Sequence, residues 1–155
     1  MPEIDFQAMV TEARALVGTE TRWRHQGRDP QTGLDCIGLP RWLYMRQLGG
    51  LPAALETEFN AYHRNPDGQK LLQTIRDWFD EVSRETMRAG DLVVIYDRRN
   101  PQHIAVACDN EFVVEAYANG RNMKIVYWKL GVWREIAGVF RYPTEGEKAL
   151  KWRAL

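Results

Sequence analysis

Gly33-Leu34-Asp35-Cys36-Ile37-Gly38-Leu39 is the stretch on which the reading of this chain turns. Residues 19–34 before it are polar and rich in turn formers, including Asp29-Pro30 and Thr32-Gly33, and read as a structured loop. A helix is predicted after it, from about residue 36 to 48, with Asp35 as its cap and Gly49-Gly50 as its stop. Pro40 falls near the first turn, where a missing N–H costs little. Cys36 thus stands where a loop becomes a helix, at the positive end of the helix dipole, a setting that favours the nucleophilic form of sulfur. Gly38 is expected to leave room beside the sulfur for a substrate backbone. The alternative for a free cysteine is a buried small hydrophobe.

Working outward, Phe6, Met9, Val10, Ala13, Leu16 and Val17 recur at helical spacing, with Asp5 to cap the helix and Gly18 to end it. Residues 51–88 read as an irregular stretch followed by a helix over roughly 68–82. Leu71, Leu72, Ile75, Trp78 and Phe79 form the apolar stripe of that helix. From Gly90 onward the apolar period changes to two, and residues 92–96, 103–108, 111–116, 123–128 and 136–141 are predicted as five short strands. Helices followed by a meander of strands predict an α+β domain over residues 1–143. Residues 144–155 are expected to form a loose, charged tail.

Composition narrows the function classes. A chain of 155 residues can bury a core as one domain. Lys+Arg and Asp+Glu balance at 21 each, so no overall field draws the protein to nucleic acid or an anionic membrane. Cys36 and Cys108 are the only cysteines and make no disulfide framework; Cys108 is expected to be an inert strand residue. The start, MPEIDFQAMV, lacks the pattern of a signal peptide, and no apolar run reaches the length of a membrane span, so synthesis in the cytoplasm is expected. No Cys/His/Asp cluster has zinc-ligand spacing, and neither a metal nor a cofactor is expected. The six tryptophans and six tyrosines serve either packing or the stacking of sugars and peptides. His63, near an Asn65-Pro66-Asp67-Gly68 turn, reads as a surface residue. His103, opening a strand, is placed to act as base and acid for a cysteine nucleophile.

Asp35-Cys36-x-Gly38, Gly90-Asp91-Leu92-Val93 and His103-Ile104-Ala105-Val106, in that order and spacing, resemble the NlpC family of cell-wall cysteine peptidases. The resemblance runs from the first helix to about Tyr142. It implies a papain-like core, with N-terminal helices packed on a five- to six-stranded, mainly antiparallel sheet. It also implies cleavage of peptidoglycan stem peptides beside D-glutamate and a diamino acid, with Cys36 as nucleophile and His103 as base. The family places a polar residue twelve positions after that histidine to hold the imidazole tautomer; here it is Glu115. Strand geometry tests this assignment. Glu115 shares a face with His103 only across a turn of odd length, such as Cys108-Asp109-Asn110, whereas a two-residue Asp109-Asn110 turn sends it to the other face. The alternation favours the odd turn, because Ile104, Val106, Phe112 and Val114 then share the core face; a solvent-facing glutamate is the alternative.

One position departs from the family pattern. Many members carry an oxyanion-binding tyrosine about a dozen residues before the cysteine, but Trp23-Arg24-His25-Gln26-Gly27-Arg28 contains none. Trp23 is the nearest equivalent, with an indole N–H to donate, and His25 competes with it; the Cys36 main-chain N–H serves in either case. Arg24, His25, Gln26 and Arg28 form a cluster suited to substrate carboxylates, or else a solvated loop. With Asp35, these are the oxyanion and substrate-binding candidates. Residues 24–39 and 61–75 look most similar to the phage-tail and gene-transfer-agent branch. That similarity implies a tail component that opens the wall locally during DNA delivery, works with other tail or baseplate proteins, and acts in the periplasm or wall. A structural tail or hub protein with little activity, or a cysteine amidase on the same core, is the alternative.

Overall fold

The structure is a computed structural model, and its described residues are 3–60, 68–119, 122–132 and 134–153. Helix α1 spans Phe6–Ala15, with the Asp5 carboxylate accepting from the Ala8 N–H, as the capping pattern predicts. A two-stranded ribbon follows, β1 (Arg28–Asp29) and β2 (Gly33–Leu34), and then α2 (Gly38–Leu48), which Gly49 ends in the left-handed region. Next come α3 (Ala53–Asn60), α4 (Gly68–Trp78), β3 (Asp80–Val82) and a single 3-10 turn over Arg84–Thr86. The remaining elements are β4 (Leu92–Asp97), β5 (Asn100–Ala107), β6 (Phe112–Asn119), β7 (Asn122–Lys129), β8 (Ile136–Arg141) and α5 (Gly146–Trp152). No helix of the described residues is long and apolar enough to cross a membrane.

The main sheet has six strands in the order β3-β8-β4-β5-β6-β7, with every pair antiparallel. The predicted α+β, papain-like architecture is therefore present, with three corrections. The strands are not a simple meander, because β8 crosses back to pair with β4. The helix expected over 68–82 stops at Trp78, and β3 follows; its Asp80 and Glu81 are exposed on a sheet edge and carry no apolar alternation. Residues 51–60, expected to be irregular, contain α3, which buries only Leu55 and Phe59, one turn apart.

The tail is a further correction. Residues 146–152 form α5, and Trp152, 1% exposed, donates its indole N–H to the Trp78 carbonyl at 2.7 Å. Its ring meets Trp78, Phe79 and Tyr142 edge to face at 5.0–5.8 Å. Burying an aromatic ring of this size outweighs the polarity of the surrounding Glu and Lys residues. His63 lies, with all of residues 61–67, outside the described residues.

Two apolar layers flank the sheet. On the helix side Ile104, Val106 and Val114 join Met9, Leu39, Leu43, Ile75 and Phe140, with Phe112 packed at the margin. The opposite face holds Val93, Ile95, Ala105, Ala107, Val113 and Val139. The Gly90-Asp91 step sets where β4 begins. Gly90 has φ +90, and a Cβ there would run into the Phe6 ring. Asp91, almost fully buried, takes both arms of Arg141 at 3.0 and 2.8 Å.

The β4–β5 turn is strained. Arg98 and Arg99 have φ +52 and +78, and Asp97 pairs with Asn100, so the turn needs two left-handed residues, for which Asn-Gly is suited. Replacing the pair as Arg98→Asn/Arg99→Gly is expected to stabilise the protein by about 1 kcal/mol in urea unfolding.

Candidate active site

Asp35 builds the approach to the sulfur. Its main-chain carbonyl accepts from the Leu39 N–H at 3.0 Å, and its carboxylate accepts from Ile37 and Gly38 N–H at 3.1 and 2.7 Å. Asp35 therefore caps α2 as expected, although the regular helix starts two residues after Cys36. Its other oxygen accepts from the Gln26 N–H at 2.6 Å, which ties the preceding loop to the helix start. Burial raises the Asp35 carboxyl above its usual range, while these N–H donors and the nearby Arg28 pull against that rise. At 2% exposure Asp35 serves the scaffold, which corrects its place among the oxyanion and substrate candidates.

Gly38 also needs correction. A Cβ at Gly38 would lie 1.9 Å from the Gly27 carbonyl oxygen, and one at Gly27 would lie 2.1 Å from the Gly33 carbonyl oxygen. The space beside Gly38 is filled by the protein's own loop. Its glycine permits that loop to pack, not a substrate to approach.

His103 reaches Cys36 through a bulge. Ile95 pairs with His103 and Tyr96 with Pro101, leaving Gln102 as an extra residue in β5. The Cys36 Sγ donates to the freed Gln102 carbonyl at 3.6 Å, and its interaction with the neighbouring His103 imidazole raises the pKa of that imidazole. Cys36 and His103 are both partly exposed, so the pair is open to a ligand.

Glu115 completes the chain. Its Oε1 lies 2.7 Å from His103 Nε2, which leaves Nδ1 for the sulfur. Val106 pairs with Val114, and the Cys108 N–H donates to the Phe112 carbonyl, so Asp109-Asn110-Glu111 form an odd, three-residue turn. Asp109 fixes that turn by accepting from the Glu111 and Phe112 N–H groups, both at 2.7 Å. Glu115 and His103 share a face, as the alternation predicts. The turn sits one residue later than the Cys108-Asp109-Asn110 example, and that shift makes their contact diagonal.

Two partners of Glu115 were not legible in the sequence. Arg134, after β7, holds both carboxylate oxygens at 2.6 and 2.9 Å, and the Trp128 indole donates to Oε2 at 2.7 Å. They lie 19 and 13 residues from Glu115, with no local pattern to signal the contact.

The electrostatics follow from these contacts. Burial alone would raise the Glu115 carboxyl, but the hydrogen bonds and charges of His103 and Arg134 hold it at about 2. Burial likewise pushes the His103 imidazole down, yet Cys36 and Glu115 together lift it to about 9. The stability His103 gains from its partners is thus complete below about pH 6.5 and is lost as the pH rises through about 9. The Glu115 contribution has the opposite sense, complete above about pH 4.5 and lost as the pH falls toward 2. Cys108 is buried and its thiol is pushed up to about 12, an inert residue as expected.

The other expected site residues divide. Trp23 is half-buried against the helix-side core and stacks on His25, with ring centroids 6.4 Å apart. Its main-chain N–H donates to the Met123 carbonyl at 3.0 Å, which pins the loop to the edge of β7. Arg28 donates to the Asn60 side chain and to the Phe59 and Gly27 carbonyls, so its guanidinium braces the loop. Arg24 is exposed.

The same architecture recurs in solved structures. The NlpC/p60 domain of the peptidoglycan hydrolase SagA is 20% identical, with a TM-score of 0.60, over 88% of this chain and 98% of that one. An NLP/P60-family protein, described as similar to a lipoprotein, from Staphylococcus aureus is 22% identical with a TM-score of 0.62. NlpC1 from Trichomonas vaginalis is 16% identical with a TM-score of 0.64. The alignments with these last two cover 94% and 92% of this chain but only 44% and 45% of the longer partners. No curated protein sequence matches significantly. The sequence profile of the NlpC/P60 family matches residues 20–137, from the loop before Cys36 to the start of β8. Cys36, His103 and Glu115 all fall within that match, and this chain belongs to the NlpC/P60 family.

Proposed function

We propose that this chain is a cysteine endopeptidase that hydrolyses peptidoglycan stem peptides, at a bond of the D-glutamyl–diamino acid type. The observation that carries the reading is the Cys36–His103–Glu115 chain at the start of α2. The peptidoglycan hydrolase domain of SagA, matched over nearly its whole length, supports the substrate class. His103, whose imidazole is lifted to about 9, already holds the proton beside the sulfur as Cys36 attacks the scissile carbonyl carbon. The oxyanion faces the Cys36 main-chain N–H, which has no acceptor among the described residues. Trp23 or His25 is the second donor, in place of the usual tyrosine. Collapse breaks the C–N bond, and the leaving amine takes its proton from His103. Water, deprotonated by His103, then attacks the thioester and releases the carboxylate and the Cys36 thiol. Glu115 holds the imidazole so that Nδ1 faces the sulfur, and Arg134 and Trp128 hold Glu115.

The likeness of residues 24–39 to the phage-tail and gene-transfer-agent branch supports a further part of this reading, a tail component that opens the wall locally during DNA delivery. Antibody labelling of purified particles tests that placement: signal at the tail tip is expected, and particles free of the protein contradict it.

The chemistry is tested by the pH dependence of stem-peptide cleavage. His103 must carry a proton to release the amine, so kcat/KM is expected to fall above about pH 9. Glu115→Gln removes a charge that raises the imidazole, so the alkaline limb is expected to move to lower pH. A limb that stays in place in Glu115→Gln contradicts the assignment. An amidase on the same core gives products of different mass.

A further inference from the structure

A groove of about 490 Å³ runs from the end of α1 to the edge strand β7. Tyr117 and Trp128 line it, their rings meeting edge to face at 4.8 Å. The groove borders the catalytic chain through Trp128. Trp128 donates to Glu115, and continuing the β5–β6 register places Tyr117 opposite His103. Arg22 and Lys124 lie along the same groove, brought side by side where the loop before β1 bridges β7. Both are exposed, and neither forms an ion pair with a carboxylate among the described residues.

The charge of this groove is one-sided. The chain as a whole carries no net charge, yet no Asp or Glu among the described residues lines these walls. Two unpaired cations in a recess walled by aromatic rings raise the local concentration of an anion and give a flat, partly apolar ligand a surface to lie on. The strand edge adds a second element of recognition. The loop meets β7 at Met123 and Lys124, through the Trp23 N–H and the Arg22 bridge, and beyond that point the groove wall is formed by residues 125–128, where an extended peptide can lie along the strand. Of the two loop arginines expected to meet substrate carboxylates, Arg28 is occupied in bracing the loop, and the exposed Arg24 does not line this groove.

We propose that this groove is the subsite for the carboxylate-bearing arm of the substrate, an extended anionic peptide held along β7 by Arg22 and Lys124 over Tyr117 and Trp128. This rests on the stem-peptidase reading and deepens it. A stem peptide presents free carboxylates on its glutamate and diamino acid residues, and amidation of those groups removes the charge without changing the chain. The subsite therefore makes the enzyme a discriminator between acidic and amidated stems.

The test compares two synthetic stem peptides, one with free carboxylates and one with the matching carboxamides. Steady-state kinetics of the wild type, Arg22→Gln/Lys124→Gln and Lys124→Glu are measured on both. The wild type is expected to show a KM for the carboxylate form about 10-fold or more below that for the amide, the size of one charge-assisted contact. In Arg22→Gln/Lys124→Gln that ratio falls toward one, through a rise in KM for the carboxylate form and not through kcat. Lys124→Glu, which places an anion in the groove, is expected to make the amide the preferred form. Equal KM values for the two peptides in the wild type overturn the subsite while leaving the peptidase reading intact. Discrimination that survives the double substitution overturns the assignment to Arg22 and Lys124. A wild type that cleaves neither peptide overturns the peptidase reading and the subsite with it.

Discussion

Cys36→Ala is expected to lower stem-peptide turnover by at least about 1,000-fold, because no other group near His103 can form the covalent intermediate. The fold should survive the change. Asp35 caps α2 through its own carboxylate and carbonyl, and the loop is held by Gly27 and Gln26 contacts that do not pass through the sulfur. Thermal unfolding of the variant should therefore match the wild type to within about 1 kcal/mol. Alkylation gives an independent view of the same group. Iodoacetamide should modify the partly exposed Cys36 and leave Cys108, which is buried with its thiol pushed up to about 12. A Cys36→Ala protein that still turns over substrate would remove the sulfur from the mechanism.

Arg134→Met is expected to produce the largest loss of stability. Glu115 is fully buried and ionised down to about pH 2, and Arg134 supplies two of the four hydrogen bonds to its carboxylate. Removing the guanidinium leaves a buried carboxylate with only His103 and Trp128, a change that costs about 3–5 kcal/mol when one member of a buried pair is lost. Activity should fall as well, since a carboxylate that is no longer held cannot fix the imidazole. The double variant Glu115→Gln/Arg134→Met removes the stranded charge and is expected to recover part of the stability but not the activity. Urea unfolding of the four proteins in this cycle measures the coupling. A loss below about 1 kcal/mol in Arg134→Met would mean that the carboxylate does not depend on its partner.

Those two residues mark the boundary of what the sequence discloses. Cys36 and His103 are legible because each sits in a local pattern, a capped helix start and a strand with small apolar residues. Glu115 is legible because an odd turn and an apolar alternation make a statement about faces that needs no coordinates. Arg134 and Trp128 carry no such mark. Their role comes from the way β7 and the loop after it fold back over the sheet, a long-range event that residue spacing does not encode. Gly38 failed for a related reason: an absent side chain tells that something approaches closely, but not whether that something is a ligand or the carbonyl of Gly27.

The missed elements have physical causes too. α3 and α5 bury two positions each, Leu55 with Phe59 and Ala149 with Trp152, so neither shows a full apolar stripe. The i,i+4 and i,i+3 spacings of those pairs were the available signal. β3 is an edge strand with two exposed acids, and its pairing with β8 depends on a crossover that no local period announces. The tryptophans divide by environment. Trp78 and Trp152 complete the aromatic core, Trp23 stacks on His25 in the loop before α2, and Trp128 donates to Glu115.

The most direct measurement of the central claim is mass spectrometry of muropeptides digested by the wild-type protein and by Cys36→Ala. The wild type should release fragments whose masses correspond to hydrolysis of a stem-peptide bond on the carboxyl side of glutamate, and Cys36→Ala should release none. Identical fragment patterns from the two proteins, or no fragments from the wild type, would contradict it.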